Sequence, residues 1–250
     1  MRAVLVLLSL MAWALSAHAV EVLVHSREAL LGRDRPAGLE FSAVAQAPHV
    51  VRVEIHRPGK QFLAHIDYAR ETLAITSVTP ETGAAVPITP EDIVVFTHVL
   101  RAIALDRSRV TDALLSTLTW LADHPPQAVV DFQTGRPGQP RQAPQGYTSL
   151  CNSIGRTVLA RYTVDGEVHE EPVVVGPCGA NDCLGRCGAG CTANPGNPAD
   201  VNRYTQECLN HDVCNRETNP WDPLGLFPPC RDEFEAAAPG YFFAPDCPQC

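Results

Sequence analysis

The chain has 250 residues, of which 45% are hydrophobic and 19% charged, and its net charge is −9. That apolar share fills the core of one large domain or two small ones and excludes disorder over most of the length. The acidic balance excludes a protein that holds nucleic-acid phosphates on a basic face, and apolar runs too short to repeat across a bilayer exclude a polytopic membrane protein.

Residues 1–19 read as a secretory signal peptide. Arg2 precedes an apolar stretch from Ala3 to Leu15, and Ala17-His18-Ala19 supplies the small-x-small end. Cleavage after Ala19 is expected, which places the mature protein outside the cell or in the periplasm. The ten cysteines agree with an oxidising compartment, because all lie between Cys151 and Cys250 and an even, dense set reads as a disulfide framework.

Residues 20–133 are expected to form an α+β domain. Short strands are predicted at 50–55, 62–66 and 72–76, with Arg57-Pro58-Gly59-Lys60 as a turn. Thr89 caps a helix that starts at Pro90 and is predicted to reach Leu105, and a second helix is predicted from Arg109 to Ala122. His49, His56, His65 and His98 are scattered and make no chemical constellation, so this half does not state its role. An inhibitory pro-segment, a targeting unit and a docking surface all remain open for it.

Residues 134–147, rich in proline and glycine, read as a linker. In the third part, residues 148–250, Val158–Val164 and Val168–Val175 flank Asp165-Gly166 and predict a β-hairpin. A glycine-rich segment, Cys183-Leu-Gly-Arg-Cys-Gly-Ala-Gly-Cys191, follows. Then Cys208-Leu-Asn-His-Asp-Val-Cys214 falls within a helix predicted from Val201 to Arg216, with Asp200 as its cap.

Separately, these motifs fit a bridged loop and a buried helix stripe. Together they suggest hydrolytic chemistry. A glycine loop can turn several carbonyl oxygens inward, and hard cations such as calcium mix carbonyls with carboxylates. Asp212 supplies a carboxylate. His211 beside it can take a proton from a water held near such an ion, while the ion polarises an ester carbonyl. A zinc site built from these cysteines and His211 is disfavoured by the spacing and the compartment, and a serine hydrolase by the lack of a Gly-x-Ser-x-Gly turn.

The loop and helix motifs in this order resemble the secreted, calcium-dependent phospholipases A2, most closely the compact microbial type, over about residues 183–232. The resemblance implies a disulfide-rich, mainly helical domain with the hairpin in front, and an enzyme that cleaves the sn-2 ester of phospholipids at a membrane or aggregate surface. It implies His211 as the general base and Asp212 as a calcium ligand, with the carbonyls of Arg186, Gly188 and Gly190. It also implies a bridge from Cys187 to Cys208, with Cys214 and Cys230 as further bridging candidates. Asp232 is implied as the carboxylate that orients His211, with Glu233 and Glu235 as alternatives. The sequence departs from the pattern at Glu207, Cys191, Asn215 and Arg231. A catalytically silent module of the same scaffold, acting on another exported protein or a receptor, is the alternative. Trp221–Phe227 and Tyr241-Phe242-Phe243 could meet a lipid interface or fill the core. With 14 acidic and 6 basic residues from Cys151 onward, recruitment by anionic lipid is not expected.

Overall fold

The computed structural model describes residues 20–103, 105–134, 146–176, 183–188, 202–218 and 230–248. The expected signal peptide and most of the expected linker lie outside these residues, as do Gly190 and the Trp221–Phe227 loop.

The first half is mostly sheet. Strands β1 (Val20–His25), β2 (Ala29–Asp34), β3 (Leu39–Ala47), β4 (Val50–Arg57), β5 (Lys60–Asp67), β6 (Thr72–Val78) and β7 (Asp131–Gln133) form one antiparallel sheet in chain order. The three predicted strands are its centre, β4 to β6. The pattern that makes β3 a strand is the same alternation: Leu39, Phe41 and Ala43 face the core while Glu40 and Ser42 point away.

Two helices interrupt the meander before β7. Helix α1 (Pro90–Ala102) has the predicted cap: the Thr89 hydroxyl accepts the Asp92 amide and the Asp92 carboxylate accepts the Thr89 amide. It ends at Ala102, three residues short of the prediction. Helix α2 (Arg109–Asp123) is capped by Ser108 and packs against β2, β3 and β4. It is buried along most of its length because it carries packing on two sides.

The second half contains strands β8 (Thr157–Val164) and β9 (Glu167–Val174), and helices α3 (Gln206–Thr218) and α4 (Arg231–Phe243). Asp165 and Gly166 both have positive φ, 52° and 82°, which is the twist a two-residue hairpin turn demands. Helix α3 starts five residues later than predicted. Residues 202–205 are not helical, because Tyr204 pairs with Arg186 in a β-bridge and the Thr205 hydroxyl then accepts the Cys208 amide as a cap. The predicted cap, Asp200, lies outside the described residues and cannot cap a helix that begins at Gln206. Among pairs of described residues, disulfides join Cys151 to Cys247, Cys187 to Cys208 and Cys214 to Cys230, and no described cysteine is a free thiol. All are within the second half.

One apolar cluster nevertheless runs through both halves. It extends from the sheet face (Phe41, Ile55, Phe62) through Trp120 on α2 to Phe234, Ala237, Tyr241 and Phe242 on α4. Trp120 stacks on Phe234, with ring centroids 5.2 Å apart and planes 21° apart. Tyr241 and Phe242 are therefore core residues, and Phe243 meets Tyr68 edge-on. A smaller cluster under the hairpin holds Tyr162, Val173, Tyr204, Leu209 and Val213. No helix among the described residues is long and apolar enough to cross a membrane.

Candidate active site

The glycine loop is tied to the start of α3 at several points. The Cys187 amide donates to the Arg203 carbonyl at 2.8 Å, and the Thr205 amide donates to the Gly185 carbonyl at 3.0 Å. The Cys187–Cys208 disulfide then locks loop to helix. Helix α4 passes close above this bridge, and glycine is needed there: a Cβ on Gly240 would lie 2.8 Å from the Thr205 hydroxyl and 3.0 Å from the Cys187 sulfur.

These ties bring Asp212 to the loop. Its Oδ2 accepts the Gly185 amide at 2.7 Å. A carboxylate has about four acceptor positions, so this bond orients the group without exhausting it. One carboxylate joined by backbone oxygens would suit a hard cation better than a soft one; the loop group that meets Asp212 here is the Gly185 N–H. Of the three expected carbonyl donors, Arg186 and Gly188 belong to the described loop and Gly190 lies outside it. Among the described residues there is no group of three His, Cys, Asp or Glu side chains that could hold a metal.

His211 sits beside Asp212, its Nδ1 3.9 Å from Oδ1. The ring is 14% exposed, tilted against Phe234 at 5.2 Å, and burial pushes its pKa down to about 4. The imidazole is therefore neutral at pH 7. Its Nε2 lies 2.9 Å from the Asn215 amide, one helical turn along α3. The atom that faces the ring is the amide nitrogen Nδ2, so the amide donates and Nε2 accepts.

The three acidic candidates of α4 have other described partners. Asp232 lies beside Glu233, whose carboxyl is pushed up to about 8 by burial and then by that neighbour. Glu233 Oε1 accepts the Thr163 amide at 2.6 Å, and Glu235 pairs with Arg231 at 3.0 Å.

Two groups that the sequence reading passed over lie against the loop. The Tyr241 hydroxyl donates to Asp123 Oδ2 at 2.8 Å, and the Gly188 backbone lies near enough to it to lower its pKa. Burial pushes the Asp123 carboxyl up to about 7, against the pull of Tyr241 and of the Arg186 charge. A local clue existed. Asp123 is the last residue of α2, where an acid opposes the helix dipole, so α2 itself gives no reason for it. Asn215 had a clue too, its spacing of four from His211 on a predicted helix.

Residues 149–243 match a family described as a domain of unknown function (DUF8213). No curated protein and no solved structure matches the chain. The matched stretch includes His211, Asp212, Asn215 and Tyr241 but stops short of α2, which carries Asp123.

Proposed function

We propose that the protein is an exported, calcium-dependent hydrolase that cleaves the sn-2 ester of phospholipids, similar to the secreted phospholipases A2. The observation that carries this reading is the Asp212–Gly185 bond beneath the Cys187–Cys208 bridge, which gathers a single carboxylate, a glycine loop and an imidazole. Asp212 and the carbonyls of Arg186, Gly188 and Gly190 would hold calcium. Bound there, the ion supplies Lewis-acid polarisation of the ester carbonyl.

The rest of the chemistry belongs to the chain. For His211 to act as base at Nδ1, Nε2 must carry the proton, which requires the Asn215 amide to turn over so that its oxygen replaces Nδ2 and accepts from Nε2. Asn215 then fixes the tautomer, the role the resemblance gave to an acidic residue. Nδ1 takes a proton from the attacking water and returns it to the departing alcohol. Phe234 covers the ring and limits access of bulk water. The disulfides suit an oxidising compartment, and the substrate would be met at a phospholipid surface.

Fatty-acid release from mixed micelles, followed through a calcium titration, tests the proposal. Release should require calcium, and His211→Ala should lower it about 10²- to 10⁴-fold. No release by the wild type, or unaltered release by His211→Ala, rejects it. The histidine's low basicity and its amide partner favour a second reading, a calcium-holding module that is catalytically silent. Calcium binding without turnover of any ester supports that reading instead.

A further inference from the structure

We propose that the N-terminal half is a permanent part of the site rather than a removable segment, and that Asp123 acts through Tyr241 to position the Gly188 peptide of the loop. The calcium role of that peptide rests on the function proposed above; the positioning itself does not.

Five observations point the same way. The Tyr241 hydroxyl donates to Asp123, on α2, and the Gly188 backbone lies near enough to the same hydroxyl to lower its pKa. Thr119, one turn earlier on α2, would lie 3.2 Å from a Cβ on Gly188, so the loop rests directly on that helix. Gly188 also has a φ of +135°, a backbone conformation that residues with a side chain rarely adopt. Trp120, between Thr119 and Asp123 in the same stretch of helix, stacks on Phe234, and Phe234 in turn contacts His211. Finally, Asp123 ends its helix where the dipole disfavours an acid, so its placement answers to the loop and not to α2.

The first 150 residues hold no cysteine, so no disulfide joins the halves. They are held by packing and by polar ties such as Arg203 to Ser116 at 2.8 Å and Arg107 to Asp246 at 2.8 Å. A pro-segment that must leave would have to give up the Trp120–Phe234 stack and expose the α4 face of the core. Cutting the chain between the halves should therefore not separate them.

The first test places a protease site within residues 135–145 of the full chain. After cutting, the two pieces should co-elute on gel filtration, and calcium binding should be unaltered. Separation of the pieces without denaturant, or a gain of ester cleavage on cutting, overturns the permanence.

The second test reads amide hydrogen exchange at Gly188 in metal-free protein. Asp123→Ala and Tyr241→Phe should each speed it at least tenfold relative to amides in β4, and the double variant should be no faster than the quicker single. Asp123→Asn keeps an acceptor oxygen and should recover most of the protection lost in Asp123→Ala. Unaltered exchange in both single variants overturns the positioning role. Calorimetric titration with calcium chloride adds the functional arm: each loss variant should bind about tenfold more weakly, the scale of one hydrogen bond. If the wild type binds no calcium, the hydrolase reading falls while the exchange data still decide this proposal.

Discussion

Residues 20–134 fold without a cysteine, as a seven-strand meander closed by α1 and α2, whereas residues 146–248 rely on a two-strand hairpin, two short helices and three described disulfides. The first half has enough alternating strand to make its own apolar layer. The second has few core positions for its size, and its α3 presents polar groups such as Asn210, His211 and Asp212 where a structural helix would carry a continuous apolar stripe. Cross-links offset that shortage by restricting the unfolded chain. The difference is one of means and does not make the halves independent, since α4 completes the layer over α2.

The strongest attack on this comparison is at the shared layer. Trp120→Ala should cost about 3–5 kcal/mol, and urea unfolding should stay a single transition reported alike by probes in either half. Two separate transitions would show that the halves fold alone. Removing the Cys187–Cys208 bridge with a paired serine replacement should cost about 3 kcal/mol, as expected for a loop of that length. A comparable loss from any single apolar substitution in the hairpin would argue that the cross-links are not what sustains the second half. Gly240→Ala should cost about 1–3 kcal/mol, because the added methyl meets Thr205 and the Cys187 sulfur; thermal melting measures it.

Titratable groups at the junction of the halves should also respond in opposite directions to pH. His124, buried beside Trp120 and Phe234, has its pKa pushed down to about 4, like His211. Between about pH 6.5 and 4 the unfolded imidazoles bind protons that the folded ones refuse, so these groups remove stability as pH falls. Asp123 has its pKa raised to about 7, so the folded state binds the extra proton between about pH 4 and 7, and this group removes stability as pH rises. Urea melts at pH 4.5, 6 and 8 should show His124→Gln gaining on the wild type at the acid end and Asp123→Asn gaining at the alkaline end. A constant gap across pH would contradict either assignment. The smallest expected effect is on the outer face of the hairpin, where Leu159 is 51% exposed: Leu159→Ser should stay within about 0.5 kcal/mol.

Legibility in the sequence followed the range of the interaction. The Thr89 cap, the helix read from Arg109 to Ala122 and the Asp165-Gly166 hairpin depend on neighbours a few residues away, and each was readable. The alternation in β3 was equally local and was passed over, since its apolar positions include small Ala43 and the strand carries Val44 on the outer face. The start of α3 was misplaced because Tyr204 has helical spacing to Cys208, yet it is drawn into a bridge with Arg186. At the site, the neighbourhood of loop and helix was foreshadowed by the motifs, and the Cys187–Cys208 bond is present. Asn215 at Nε2 of His211 and the Asp123–Tyr241 pair were not foreseen.

The sequence by itself therefore determined the elements whose energies are local: caps, turns, alternation, and the set of cysteines available to bridge. Only the tertiary structure decided that α2 lies against the glycine loop, that Tyr241 reaches Asp123 across 118 positions of chain, and that His211 is buried against Phe234. These depend on how two surfaces fit once both are formed. No window of adjacent residues encodes such a fit, because its energy comes from packing and desolvation between segments far apart in the chain.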